Sequence, residues 1–310
     1  MIRFAERGLG IAALLVSAVA LTGVAGCGSA ASPTAAAAVT SVSPTPSAIP
    51  DLCANLDPPM PSSTGSQTPA VPTQIPGISL APASASPMLV SAYEQFNDMR
   101  CTRYQSTYRE AWPSFFYYDC VGFTGYTLER AFPGAFSVVK EAVPFVPGQA
   151  TGTPLEYLQF FQGLVAHPRA GWLPDATVQS IQPGDMIAWQ PITASGAPTG
   201  VGHSVLPLTI PQAIAGSDGT RWMVVVEDST QDPHGPDDTR RDPTLDQRNA
   251  LAPDNLPGAE GTSVPSGLGI GTLAFDTNAQ GVVTGVEWSV GSTPFAVTFG
   301  AARPVATPAS

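Results

Sequence analysis

The stretch Pro183-Gly184-Asp185-Met186-Ile187-Ala188-Trp189 decides the predicted fold, because it places a turn directly before a short, buried apolar strand. Five more strands are predicted after it by the same criteria, at Ser204 to Leu208, Arg221 to Glu227, Ile270 to Phe275, Val282 to Val290 and Phe295 to Phe299. A turn through Asn278 and Gly281 joins two of them as a hairpin. We therefore expect a mostly antiparallel sheet in the second half of the chain.

Helices are predicted before these strands. Apolar residues recur at helical spacing between Leu89 and Phe96. Asp119 is a good N-cap for a second helix, which places Cys120 in its first turn. Thr153-Pro154-Leu155-Glu156 has the pattern of a capping box that begins another helix. Helices followed by a sheet indicate one α+β domain over residues 88–310.

The N-terminus predicts export and lipidation. Arg3 and Arg7 precede an apolar run from Leu9 to Val24, which is too short for a membrane span and is typical of a signal peptide. The run ends at Val24-Ala25-Gly26-Cys27, which resembles a bacterial lipobox. Residues 1–27 are therefore predicted to be a lipoprotein signal peptide, with lipid on Cys27 holding the protein at the extracytoplasmic face of the cell membrane. The alternative is an ordinary cleaved signal with an incidental cysteine.

Residues 28–87 are predicted to be a disordered tether. Asp51 and Asp57 are the charged residues of this segment, which is otherwise rich in Ala, Ser, Thr and Pro. Such a composition cannot bury enough apolar surface to offset its conformational entropy.

The number of cysteines predicts one unpaired thiol. Apart from Cys27, the chain has Cys53, Cys101 and Cys120, an odd number in a compartment where disulfides persist. We expect a disulfide between Cys53 and Cys101, because a cysteine inside a tether suggests a staple to the domain. A disulfide between Cys101 and Cys120 is the competing possibility.

Charge and composition argue against several partners. The net charge is −11 with a pI near 4.5, whereas phosphate binding needs clustered Lys and Arg, so no nucleic acid partner is expected. His234 lies in an acidic loop that raises the alternative of a cation site or of a cleft wall near Asp228. Without Cys or His partners at ligand spacing, we predict a solvated loop, no metal and no cofactor. The protein is expected to be a monomer.

Cys120 is the candidate nucleophile. At a helix N-terminus, a thiolate is stabilised by the helix dipole and by unpaired N–H groups, which predicts a lowered pKa. The same N–H groups are suited to the oxyanion of an acyl intermediate. The alternative is a small buried residue between helix and sheet.

Three motifs in this order resemble those of NlpC-type papain-fold cysteine peptidases, which cut peptidoglycan stem peptides. The motifs are Asp119-Cys120-Val121-Gly122-Phe123, the stretch at residues 183–189, and Gly202-His203-Ser204-Val205. The resemblance implies a papain-like fold with Cys120 as nucleophile, His203 as its base and Asp228 as the residue that orients the histidine. Val121 departs from the serine usual in the family.

The sequence therefore predicts a surface-anchored cysteine hydrolase that cleaves amide bonds of cell-wall peptides through Cys120, His203 and Asp228. The alternative from a different class is a noncatalytic cell-wall-binding or scaffolding lipoprotein. A cysteine acyltransferase with the same triad is a third possibility.

Overall fold

The computed structural model describes residues 79–105, 110–112, 114–146, 150–241 and 265–306. The predicted signal peptide, Cys27, Cys53 and nearly all of the predicted tether lie outside these residues. The described residues contain four α-helices, namely α1 (Pro87–Asp98), α2 (Cys120–Ala131), α3 (Pro133–Ala142) and α4 (Pro154–Gly163). None of these helices combines the length and the apolar composition needed to cross a bilayer.

The strands form two sheets. A small one has the order β1-β3-β2, with β1 (Cys101–Arg103), β2 (Glu110–Trp112) and β3 (Phe115–Tyr117). The large sheet has eight strands, namely β4 (Trp172–Asp175), β5 (Met186–Pro191), β6 (His203–Pro207), β7 (Gln212–Ala213), β8 (Arg221–Thr230), β9 (Gly267–Thr277), β10 (Val283–Glu287) and β11 (Phe295–Pro304).

Six strands of the large sheet close into an antiparallel barrel, in the order β10-β9-β8-β6-β5-β11. The ring closes because β11 pairs with two strands. Val297 to Ala302 of β11 lie opposite β5, and Ala296 and Phe295 lie opposite Gly285 and Val286 of β10. The two remaining strands, β4 and β7, add to β11 and β8 from outside the ring.

The predicted papain-like α+β fold, with N-terminal helices packed on a mostly antiparallel sheet, is therefore wrong. The six strands predicted after residue 183 are present near their predicted positions, but their alternation of apolar residues says nothing about whether the first and last strands of a sheet meet. The pairing of β10 with β11 decides that question, and it removes the open edges that a papain-like sheet would leave.

The barrel wall separates two apolar clusters. Successive side chains of a strand point to opposite faces, so Trp189, Val205 and Val226 fill the barrel interior. Their neighbours Ala188, Leu206 and Val225 pack instead in a larger cluster with the helices. The same alternation places His203 and Asp228 on the interior face and Glu227 on the helix face.

The helix starts follow the sequence closely. The side chain of Asp119 accepts a hydrogen bond of 2.7 Å from Gly122 N, which confirms the predicted N-cap of α2. Thr153 and Glu156 form the predicted capping box of α4. Leu80 and Ala83, which fall within the predicted tether, are buried in the helix-side cluster, so packing begins before α1.

Glu227 carries a carboxyl group with no hydrogen-bond partner among the described residues. It is fully buried on the helix face, and neither of its side-chain oxygens is hydrogen-bonded there. Burial raises the pKa of Glu227 well above its ordinary value, and the charge of Asp228 adds to the increase. The folded state therefore holds a proton that the unfolded chain releases at lower pH.

We expect Glu227→Gln to become progressively more stable than the wild type as the pH rises above that of an ordinary glutamate. A folded-state pKa raised above the unfolded one makes stability fall with rising pH, by up to about 1.4 kcal/mol per pH unit, whereas the amide does not titrate. Urea unfolding of the full chain between pH 4.5 and 8 measures the difference. Glu287→Gln is the control, because Glu287 is buried but accepts a hydrogen bond from Arg221 Nε. A difference in unfolding free energy between Glu227→Gln and the wild type that stays constant across this pH range would contradict the raised pKa of Glu227.

Candidate active site

His203 and Asp228 meet at one end of the barrel interior. His203 Nε2 lies 2.6 Å from Asp228 Oδ2. Burial lowers the pKa of His203 below its ordinary value, although its hydrogen bond to Asp228 opposes the shift. The neutral ring therefore carries its proton on Nε2, facing the carboxylate, and keeps the lone pair on Nδ1. An imidazole held in this way is suited to accept a proton at Nδ1.

Asp228 is fully buried and remains ionised. Burial by itself would raise the pKa of Asp228, but the guanidinium of Arg240, the neighbouring His234 and the hydrogen bonds from two imidazoles hold that pKa well below its ordinary range. His234 Nε2 lies 2.8 Å from Oδ2, and Arg240 Nη2 lies 2.5 Å from Oδ1. Both oxygens are thus satisfied by charged or polar donors, as a buried carboxylate requires.

Arg240 joins this group to a second carboxylate. Its Nη1 donates to Asp238 Oδ2 over 2.7 Å, and its Nε donates to Gly267 O over 2.7 Å. Asp238 also accepts the backbone N–H of His234. His234, Asp238 and Arg240 lie in the loop predicted to be solvated, and that prediction is wrong because all three are buried.

Glycines on β9 make room for this cluster. Gly269 lies opposite Asp228 in the sheet, and a Cβ there would come within 2.6 Å of Arg240 Cγ. A Cβ at Gly271 would come within 2.5 Å of Asp238 Oδ2. Alternate glycines inside a strand indicate a close approach by another group. This alternation of glycines is the sequence signal that would have indicated the buried cluster.

Cys120 lies in the first turn of α2, as predicted, but the residue is buried and only 2% exposed. Burial raises the pKa of the thiol well above its ordinary value, and the charge of Asp119 adds to this, while the N–H groups of Ser204 and Val121 oppose it. The expected lowering of the thiol pKa is therefore wrong for this conformation. The effect of burial on the pKa of the thiol is larger than the opposing effect of the helix N-terminus.

The helix that carries Cys120 is attached to the strands that carry His203 and Asp228. Thr124 Oγ1 and Ser204 Oγ lie 3.0 Å apart, and Ser229 Oγ donates to Tyr118 O over 2.7 Å. Each contact comes from the residue directly after a predicted site residue on β6 or β8. The structure records no hydrogen bond between the Cys120 thiol and the His203 ring, whereas it does pair His203 with Asp228.

A cavity of about 640 Å³ lies beside His203. The rings of Trp189 and Trp288 form its walls and pack against His203, with centroid distances of 5.1 and 5.0 Å. Tyr104 and Asp119 also line it, and Asp119 is the residue next to Cys120. Burial raises the pKa of Tyr104, and the nearby carboxylates of Asp119 and Asp228 raise it further. Tyr104 is therefore a cavity residue that sequence reasoning missed.

Other predicted features are structural or remain outside the described residues. Asp185 of the 183–189 motif accepts a hydrogen bond of 2.7 Å from Arg303 Nε and lies apart from the cavity lining. Cys101 is disulfide-bonded and Cys120 is a free thiol, which excludes a disulfide between these two. Cys53 and Cys27, the predicted lipidation site, are not among the described residues.

Comparison with known proteins adds no assignment. No protein-family model matches the chain, and no similar curated protein or solved structure was found. The case for a function therefore depends on the geometry of the site.

We expect Gly269→Ala to destabilise the fold by about 2 kcal/mol or more, because overpacking at a rigid site forces its neighbours to move. The atoms in the way belong to Arg240, which is fully buried and held by hydrogen bonds along its guanidinium. Gly163→Ala is the matched control, since nothing lies within 4 Å of the added Cβ. Thermal and urea unfolding of both variants measure the difference, and equal stability would contradict this packing.

Proposed function

We propose that the chain is a cysteine hydrolase that cleaves amide bonds, with Cys120 as nucleophile, His203 as general base and Asp228 as the residue that orients His203. The observation that carries this proposal is the hydrogen bond from His203 Nε2 to the buried, ionised Asp228 at the wall of a cavity. A neutral imidazole in a fixed tautomer, with its second nitrogen unprotonated, is what general-base catalysis requires.

The resting pair is neutral. Both the raised pKa of Cys120 and the lowered pKa of His203 favour thiol and imidazole over thiolate and imidazolium. We therefore place proton transfer in the reaction itself. As the sulfur attacks the carbonyl carbon, His203 Nδ1 accepts the thiol proton, and it returns that proton to the amine when the C–N bond breaks. Water then attacks the acyl-enzyme, again with His203 as base, and releases the acid and the free thiol.

Tyr104 is the side chain suited to stabilise the oxyanion. Its ring lines the cavity, and its hydroxyl makes no hydrogen bond to the other described residues. Its raised pKa keeps it protonated and able to donate. A hydroxyl aimed at the developing negative charge supplements the N–H groups at the start of α2.

The proposed substrates are cell-wall peptides. The order of the three sequence motifs, which resembles that of NlpC-type peptidases, supports this class. The aromatic walls of the cavity fit a substrate that buries apolar surface. Lipid on Cys27 and display at the extracytoplasmic face of the membrane complete the proposal, because they would place the domain beside these peptides.

The burial of Cys120 favours a second candidate, a noncatalytic lipoprotein that binds a wall fragment in the same cavity. Its thiol is 2% exposed and does not line the cavity wall. In this candidate, Cys120 is a packing residue between α2 and the barrel wall. The reactivity of the thiol separates the two candidates.

We expect His203→Ala to slow alkylation of Cys120 by iodoacetamide at pH 7 by about tenfold or more, because the base that assists thiol deprotonation is lost. The wild-type rate should still be rising at pH 9, since the thiol pKa is raised. Peptide mapping by mass spectrometry on the full chain identifies Cys120 as the labelled residue.

His167→Ala is the matched control, because His167 is exposed and lies outside the cavity lining. An alkylation rate of Cys120 that is the same in the wild type and in His203→Ala would contradict the role of His203 as general base. Labelling only in urea would show a thiol that stays buried, and it would favour the binding protein.

We expect the full chain to release new amino groups from purified stem peptides and Cys120→Ala to release none, because the variant has no nucleophile. Liquid chromatography with mass spectrometry identifies the bond from the product masses. Peptides that bind both proteins equally and stay intact would support the noncatalytic candidate.

A further inference from the structure

Asp228 is the centre of a buried charge cluster that extends beyond the proposed triad. Its Oδ2 faces the Nε2 atoms of both His203 and His234, at 2.6 and 2.8 Å. Its Oδ1 faces Arg240, which also contacts Asp238. The side chains of His234 and Arg240 have no solvent exposure. Charges in such a place must be matched within the protein.

Both ring nitrogens of His234 face acceptors. Nδ1 lies 3.1 Å from the backbone carbonyl of Trp288, and a carbonyl can only accept a hydrogen bond, so Nδ1 carries a proton. Nε2 lies 2.8 Å from Oδ2 of Asp228, whose other oxygen is paired with the Arg240 guanidinium, so this carboxylate also can only accept. The contacts on both sides of the ring are satisfied together only if His234 is an imidazolium.

The charges of the cluster then balance. Asp228 and Asp238 contribute two negative charges, and Arg240 and His234 contribute two positive ones. His203 completes the set as a neutral ring, and Glu227, on the other face of β8, stays protonated because burial raises its pKa. A neutral buried cluster avoids the large cost of an uncompensated charge.

The same atoms invite comparison with a metal site, since one nitrogen from each histidine and one oxygen of Asp228 lie within 4.8 Å of one another. The two N···O distances of 2.6 and 2.8 Å are those of direct hydrogen bonds. Ligand atoms about 2.0 to 2.1 Å from a tetrahedral zinc ion would stand roughly 3.3 Å apart. Arg240 also places a positive charge on the other oxygen of Asp228. The arrangement fits a hydrogen-bonded charge cluster better than a cation site.

We propose that His234 is a positioning residue, a buried imidazolium that, together with Arg240, keeps Asp228 ionised and thereby holds His203 in the tautomer with an unprotonated Nδ1. Without the charge on His234, Asp228 would be undercompensated and would draw a second proton onto His203. A doubly protonated His203 has no lone pair with which to act as a base. The catalytic consequence rests on the proposed function, whereas the protonation states do not.

Nitrogen NMR of the imidazoles tests the proposal directly. The chain has three histidines, so long-range ¹H–¹⁵N correlations of the full chain resolve each ring, and the exposed His167 serves as the internal reference. At pH 7 we expect His234 to show two protonated nitrogens and His203 to show protonated Nε2 with unprotonated Nδ1. A neutral His234, or a His203 proton on Nδ1, would overturn the proposal. This measurement needs no variant.

Three variants separate the positioning role of His234 from a role in folding alone. In His234→Gln and Arg240→Met we expect the Nδ1 signal of His203 to move to its protonated position, while Arg240→Lys, which keeps the charge, leaves it in place. Thermal unfolding identifies which variants are folded. A folded His234→Gln with an unchanged His203 signal would contradict the role of His234.

Two further measurements test the proposal, a zinc titration followed by NMR and an assay of amide hydrolysis. Zinc at one equivalent should leave both Nε2 signals unchanged, and a stoichiometric shift of both would instead identify a metal site and overturn the proposal. In folded His234→Gln, hydrolysis of stem peptides should fall by about tenfold or more, because His203 is held in the wrong protonation state. If the wild type shows the expected protonation states by NMR but hydrolyses no peptide, the proposed hydrolase is refuted, whereas the positioning role of His234 is supported.

Discussion

The buried carboxylate of Asp228 sets the constraint on which the rest of the site depends. An ionised carboxylate without solvent is stable only if charged donors surround it, and here they come from His234 and Arg240. These side chains need space inside the barrel, which Gly269 and Gly271 leave open on β9. The pairing of β8 with β9, the segment 231–241 that follows β8 and the protonation state of His203 therefore depend on one another.

Closure of the barrel places the site residues on the two sides of the barrel wall. Because β11 pairs with both β5 and β10, the interior becomes an enclosed core, with His203 and Asp228 at one end. Cys120 lies in the helix-side cluster instead. The bonds from Thr124 to Ser204 and from Ser229 to Tyr118 hold the start of α2 against this wall. A thiol packed in this way stays protonated until a reaction partner removes its proton.

Local sequence signals predicted local structure well. The N-cap at Asp119 and the capping box at Thr153 form as expected, because both depend on residues within one helical turn. The apolar strands after residue 183 were also located. The short strands β1, β2, β3, β4 and β7 were missed, since four or fewer residues do not produce a recognisable alternation, and helix α3 was missed as well. The acidic loop around His234 was assigned to solvent, because its composition resembles that of exposed loops although its partners are buried.

The sequence by itself located three of the four helices of the described residues and the six strands of the barrel ring, and it identified Cys120, His203 and Asp228 as the residues to consider together. Those features follow from spacing and capping along the chain. Only the tertiary structure decided that the sheet closes into a barrel, that His234 and Arg240 compensate Asp228, and that the thiol is protonated. Each of these depends on residues distant in sequence coming into contact and on the loss of solvent around charged groups, which no local pattern encodes.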